Sequence, residues 1–587
     1  MSVNDVPVAA AMQRGGTTLF FKVARMKRFW SGAVLRFAFV AALSTAFAQD
    51  PASAQDCGIA SAHVLATKAG CEILKSGGNA FDAAVAVAAA LAVVEPFASG
   101  MGGGGFFLLH RGADAFEVFV DARETAPRKA TREFFLDENG QARQKASLEG
   151  ATAAGIPGTP AALDWVARHY GRLPLARALQ PAIRLAEQGY PADARYVWAT
   201  GYREALLKAD VNAAGIFLDG GKAVAAGFMV KQPQLASTLR MLAGRGRQGF
   251  YRGDFARRLV DAVRAGGGLW ELSDLESYRV VERPPVKFSY RGATITAAPL
   301  PSSGGLLLAQ SLFILEPVAL ATLPETGQVH YVVEALRRGY HDRARYMGDP
   351  DFVSVPVEKL VSRKYASHRA ASIDPDRATP SAALAEIADS AAEGEDTTHY
   401  SIIDAEGNRV AATLSVNAPF GSGFVAGDTG VLLNNHMNDF SLAPSVPDIY
   451  RLVGNEANAI EAGKRPLSSM SPTFVEDERG VLVLGTPGGS RIISMVLEGI
   501  LAYMGQPAFD LQRMVSAPRF HHQYLPDRIE IEPGAFSLQW IEALKSKGHA
   551  VEEGRRKWGN MQAVYFDKKT GSITSANDPR GQSGVLF

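Results

Sequence analysis

The stretch Ala80–Pro96, "AFDAAVAVAAALAVVEP", is apolar on every side. That pattern predicts a helix buried all round and closed by its proline. Just before it, "HVLATKAGCEILKSGGNA" spaces its apolar residues as a helix does and stops at Gly77-Gly78. "FFLLH" (Phe106–His110) and residues 288–298 predict strands, and residues 158–275 between them read mostly as amphipathic helices. "PLPSSGG" opens a further helix. "VHYVVEALRRGYHDRARYMGD" predicts a long one whose basic face reads as solvated surface. Past residue 396 the period changes. "HYSIID", "RVAATLSV" and "GVLLNN" predict strands, and a second strand block, "TFVEDERGVLVLG", leads through "TPGGS" into the helix "RIISMVLEGILAYM". Helix-rich and strand-rich stretches on one chain predict an α+β fold, with sheets covered by helices on both outer sides.

Two segments fall outside this pattern. From Met26 a basic pair, Lys27-Arg28, precedes an apolar run of about a dozen residues and the A-x-A site Ala46-Phe47-Ala48. Arg36 breaks that run, which is short of the roughly 20 residues a membrane span needs. Residues 26–48 are therefore expected to be a cleaved signal peptide and residues 1–25 an upstream extension. Export predicts a periplasmic or secreted protein with no membrane attachment after cleavage. The second segment, residues 377–396, "RATPSAALAEIADSAAEGED", is small, acidic and poor in bulky apolar groups. It cannot bury enough surface to offset ordering entropy, which predicts an exposed loop.

Composition narrows the function classes. The 587 residues carry a formal charge of +1, with 47% hydrophobic and 21% charged residues. Near-neutral charge gives no electrostatic reason to expect nucleic acid, and the length predicts three or four domains. The two cysteines, Cys57 and Cys71, could pair in an exported protein, but their spacing does not require it. Gly100, Gly102 and Gly105 match G-x-G-x-x-G by letter. A helix precedes them and a strand follows, the reverse of a dinucleotide site, so a tight turn is expected. His521-His522 has no nearby carboxylates with metal-ligand spacing, and neither metal nor cofactor is expected.

The chemistry gathers at Thr397. "HYSIID-AEG-NRVAATLSV" predicts a hairpin closed by Ala405–Gly407, with Gly407 free to take positive φ. Pairing Asp404 with Asn408 places Thr397 opposite Ser415, and a two-residue loop would shift this by one. Thr413, Ser415 and Asn417 then share one polar face. A threonine hydroxyl needs a base. If the chain is cut between Asp396 and Thr397, the new α-amine, with an unperturbed pKa of about 7.7–8.0, supplies one close to working pH. A loose segment placed directly before the threonine suits such a cut. Gly488 and Gly489, between a strand and a helix start, are candidate oxyanion donors.

These residues carry a family resemblance. "TTHYS", "FGSGFVAG", "GVLLNNHMNDF", "KRPLSSMSPT", "TPGGSRII", "APRFHHQ" and "ANDPR", with "GGNAFDAAVA", "GGGGFFLLH", "DARETAP", "PSSGG" and "YMGDPDF" upstream, lie in order over about residues 58–580. Together they resemble the gamma-glutamyltransferases, or glutathione hydrolases, of the N-terminal-nucleophile type. The resemblance implies a four-layer αββα fold. It also implies self-cleavage into a heterodimer of a large chain (49–396) and a small one (397–587). By it, Thr397 is the nucleophile, Ser415 its hydrogen-bonding neighbour, and Gly488 and Gly489 the oxyanion hole. Arg123 in "DARETAP" would anchor the α-carboxylate of a γ-glutamyl donor, helped by Ser468 and Ser469. Asn417 and Asp439 would accept from its α-ammonium. His436 stands where many relatives have Gln or Glu, and Asn438 replaces an Asp. A protonated imidazole there would repel the ammonium. The implied partners are small γ-glutamyl donors and amino acid, peptide or water acceptors. An acylase for glutaryl-type groups without the amine is the alternative on the same fold. A non-catalytic periplasmic binding protein is the third reading, opposed by Thr397 and the double glycine.

Overall fold

A computed structural model describes residues 57–384, 397–443, 446–506 and 509–581. The expected signal peptide, the upstream extension and Asp396 lie outside the described residues. Two six-stranded antiparallel sheets form its centre. The first runs Ile59–Ser61, Thr398–Ile403, Arg409–Ser415, Gly104–Arg111, Phe116–Ala122, Val281–Arg283. The second runs Ile573–Asn577, Gln562–Asp567, Gly480–Gly485, Thr473–Glu476, Ala293–Ala297, Val286–Tyr290.

Strand periodicity assigns the two faces of the first sheet to two cores. Phe107, Leu109, Val410, Ala412, Tyr400 and Ile402 pack with the helices Val64–Lys75, Ala80–Val94, Thr159–His169 and Leu175–Gln188. Phe106, Leu108 and Ala411 join a second core made with the other sheet and the helices Gly304–Leu315, Glu325–Tyr346 and Ile492–Gly505. The layers are helix, sheet, sheet, helix, the αββα arrangement. Every residue of Ala80–Val94 is buried, as its sequence requires, and Asn79 and Asp82 close its N-terminus as a capping box. Length suggested three or four domains, but the described residues form one unit, and both sheets share the second core.

Three other expectations need correction. The basic side of Glu325–Tyr346 is not solvated. Arg337, Arg338 and Arg343 are buried, and Glu334 pairs with both Arg337 and Arg338. "GVLLNN" makes only isolated bridges at Leu432 and Leu433, because Asn434 turns its amide into the backbone carbonyls of Gly102 and Gly155 at 2.7 and 2.9 Å. Cys57 and Cys71, whose pairing the sequence left open, form a disulfide. The acidic run after residue 377 is held at its start. Ser381 is buried, donates its backbone N–H to Asp527 at 2.7 Å and its hydroxyl to the Tyr524 carbonyl at 2.7 Å. Residues 385–396 of that run lie outside the described residues.

Candidate active site

The hairpin sets the site. Its strands pair Ile403 with Arg409 and Thr398 with Leu414. That register continues to place Thr397 against Ser415, as the three-residue loop predicts. Gly407 takes φ +79 in that loop. Thr397 is buried, and its Oγ1 donates to Ser415 Oγ across a long 3.4 Å. Ser415 Oγ also accepts from the Asn417 backbone N–H at 2.7 Å, so the serine is fixed by the turn that follows its strand. His399 is the nearest histidine along the chain, but it faces the other sheet. Its nitrogens lie 2.8 Å from Thr413 Oγ1 and 3.1 Å from Ser401 Oγ, and burial pushes its pKa down to about 3. A neutral imidazole held this way is no general base for Thr397.

One small cavity of about 30 Å³ gathers Thr397 with Ser415, Asn417, Arg123, His436, Asp439, Ser468, Ser469 and Gly489. Gly488, the other expected oxyanion donor, lines a separate cavity on the far side of the same turn. Arg123 follows the strand Phe116–Ala122 and is fully buried. Its Nη2 pairs with Asp439, its Nε donates to the Pro466 carbonyl at 3.3 Å, and its Nη1 lies 3.7 Å from Glu124. His436 Nδ1 is 2.9 Å from Glu124 Oε1, so a carboxylate stands behind the imidazole. Four buried polar atoms of the lining side chains have no hydrogen-bond partner: Arg123 Nη1, His436 Nδ1, Asp439 Oδ1 and Ser469 Oγ. Buried donors and acceptors left unsatisfied are costly, and each needs an explanation.

Three polar lining residues were not among the candidates read from the sequence: Arg343, Asp448 and Tyr450. Tyr450 donates its hydroxyl to Asn417 Oδ1 at 2.5 Å and lays its ring on Gly489. A Cβ at Gly489 would sit 2.2 Å from that ring, and the backbone there has φ +56, so only glycine fits. The tyrosine thus spans the cavity from the Asn417 turn to the glycine turn. Asp448 accepts backbone N–H groups of Tyr450 and Leu452 at 2.8 and 3.0 Å. Burial, and next the charge of Asp439, push its pKa up to about 7. Burial pushes the neighbouring Arg343 guanidinium down.

Asp448 makes a prediction about stability. A carboxyl with a raised folded pKa favours its protonated form in the fold. As pH climbs above about 4, the unfolded chain gives up its proton first, so this contribution to stability falls until the folded group ionises near 7. Asp448→Asn should remove that decline. Thermal melting at pH 4.5 and pH 7.5 checks it, since the variant should gain stability relative to wild type at the higher pH. A wild-type-to-variant difference that does not change with pH would show that Asp448 holds no such proton.

The gamma-glutamyltranspeptidase family model matches residues 66–587. The chain belongs to the gamma-glutamyltranspeptidase family. It is similar to a glutathione hydrolase proenzyme of Escherichia coli (strain K12), with 41% identity over 90% of this chain and 91% of that protein. It is also similar to an acylase ACY 1 proenzyme of Pseudomonas sp. (strain V22), 37% identical over 88% of this chain and 90% of the relative. Among solved structures, the cephalosporin acylase from Bacillus halodurans superposes with a TM-score of 0.78 at 28% identity, covering 90% of this chain and 95% of that one. The αββα core of this chain is thus the fold shared by gamma-glutamyltranspeptidases and these acylases.

Proposed function

We propose that this protein is a precursor that cuts itself between Asp396 and Thr397. The new N-terminal threonine then moves γ-glutamyl groups from glutathione and related amides to water, amino acids or peptides. The observation that carries the reading is three of the buried atoms without a hydrogen-bond partner beside Thr397. Arg123 Nη1 is a cationic donor, Asp439 Oδ1 an anionic acceptor and Ser469 Oγ a hydroxyl. A γ-glutamyl head, with an α-carboxylate and an α-ammonium, matches the pair. The cavity is too small for that head while Arg123 and Asp439 touch each other. The incoming zwitterion would part them, its carboxylate replacing Asp439 at Arg123 and its ammonium replacing Arg123 at Asp439.

In the cutting step, Thr397 Oγ attacks the carbonyl carbon of residue 396, the peptide nitrogen leaves as the α-amine of Thr397, and water hydrolyses the resulting ester. In turnover that amine takes the hydroxyl proton as Oγ attacks the γ-carbonyl carbon. The hydroxyl of Ser415 orients Oγ, and the Gly488-Gly489 turn, which borders the cavity through Gly489, would supply N–H groups to the forming oxyanion. The proton then passes to the departing amine, leaving a γ-glutamyl ester on Thr397. Attack on the ester carbon by water or an acceptor amine restores the hydroxyl. Neither half-reaction calls for a metal or an organic cofactor. The Cys57–Cys71 disulfide supports an exported location, as does the N-terminal signal pattern. No helix among the described residues is long and apolar enough to cross a membrane.

The acylase likeness keeps a second reading in view, a preference for glutaryl groups without the amine. Such a group would use Arg123 but leave Asp439 without its cation. Donors that differ only in that amine decide between the two. Purified protein should release 4-nitroaniline from γ-glutamyl-4-nitroanilide at least tenfold faster than from glutaryl-4-nitroanilide. The opposite order would establish the acylase.

A further inference from the structure

A second cavity, of about 80 Å³, lies across the glycine turn from the first. Gly488 lines it and Gly489 lines the nucleophile's cavity, so one peptide unit, about 3.8 Å between Cα atoms, separates the two walls. A second connection runs through side chains. Arg195 lines the new cavity and pairs with Glu95 at 2.5 Å, while Glu95 accepts from Thr398 Oγ1 at 2.9 Å, one residue past the nucleophile.

The lining has one sign of charge. It holds Arg195, Arg556, Lys557 and Arg580 and no acidic residue. Arg195 and Arg580 are balanced from behind by Glu95 and by Glu532 and Asp578, which do not reach the cavity. Arg556 is stacked 4.8 Å over the Trp198 ring, which holds its guanidinium at the rim. Two N–H donors of the lining, Trp558 Nε1 and Asn560 Nδ2, are buried without a hydrogen-bond partner, in side chains 3% and 2% exposed. Such donors are expensive to leave unpaired in a wall built only of cations and neutral groups. A ligand that accepts hydrogen bonds and carries negative charge satisfies them.

We propose that this cavity binds a carboxylate on the far side of the scissile bond, the C-terminal carboxylate of the amino acid or short peptide that leaves or accepts the γ-glutamyl group. The proposal rests on the function proposed above. With the glutamyl head held at Arg123 and the reacting carbonyl at the glycine turn, the rest of the donor must extend away from the first cavity, and this one adjoins the turn. A free inorganic oxyanion has the same hydrogen-bonding chemistry and is distinguished by the test.

Glutathione and its C-terminal amide differ only in that carboxylate. The ratio of their kcat/KM values should favour the acid in wild type and fall about tenfold in the double variant Arg556→Ala/Lys557→Ala. Both side chains reach the surface, and the change should leave folding intact. Trp558→Phe keeps the ring but removes the Nε1 donor, and should lower the ratio severalfold. Millimolar sulfate should compete with glutathione more strongly than with the amide. An unchanged ratio in all variants overturns the proposal, as does sulfate acting equally on both donors, which would mark a site for free anions. Turnover of γ-glutamyl-4-nitroanilide separates the two levels of failure. If wild type does not hydrolyse it, the proposed function itself is wrong. If it does and the ratio stays fixed, only the carboxylate site is.

Discussion

Thr397→Ala should leave the protein as one uncut chain and abolish γ-glutamyl turnover. The wild type should resolve on a denaturing gel into two bands, and N-terminal sequencing of the smaller should read Thr-Thr-His-Tyr. In the proposed mechanism the threonine supplies the attacking atom twice, once on its own backbone and once on the donor. Losing a nucleophile that acts in concert with its base costs on the order of 10⁶ in kcat. Alanine removes the Oγ1 that reaches Ser415 at 3.4 Å and leaves the strand behind it untouched, since the pairing of Thr398 with Leu414 is made by backbone. Thr397→Ser is the control, because it keeps a hydroxyl and should still cut, more slowly. Ser415→Ala should slow cutting by about tenfold, the order of a lost orienting hydrogen bond. Cleavage of the alanine variant at the same bond, without added protease, would sink the mechanism.

The placement of Thr397 against Ser415 was legible because everything that sets it is local. A three-residue loop and a two-residue period fix which residue faces which, and Gly407, Asp404 and Asn408 supply the loop chemistry within five residues. The glycine turn was legible for the same reason, as a strand end followed by a helix start. What stayed hidden depends on distant partners. The basic face of Glu325–Tyr346 reads as surface until Asp527, nearly two hundred residues on, folds against Arg337. The disulfide is the exception, since its cysteines lie only 14 residues apart and their spacing allowed the bond without requiring it. Tyr450 and Asp448 come from a loop with no periodicity, and only their approach to Gly489 and Asp439 gives them a place in the site. "GVLLNN" shows the converse. Its strand propensity was real, but the asparagines at its end bind carbonyls of other segments and break the ladder before it forms.

Arg123→Ala should raise KM for γ-glutamyl-4-nitroanilide by roughly 30- to 1,000-fold, the equivalent of about 2–4 kcal/mol for a lost charge-assisted pair. The contact is made to the part of the donor that does not react, so kcat should change far less. The loss comes from the donor's carboxylate, which no longer meets a cation, while Asp439 is left without its guanidinium in the empty site. A buried carboxylate left without its partner is itself destabilising, so the variant should also melt at a lower temperature. Asp439→Asn separates the two roles. It should weaken γ-glutamyl donors, whose ammonium loses its acceptor, while a glutaryl donor with the same carboxylate should be affected less than threefold. Arg123→Ala should weaken both donors alike. If Asp439→Asn impairs the glutaryl donor as much as the γ-glutamyl one, Asp439 does not read the amine. The orphaned Oδ1 would then have to be explained by structure alone.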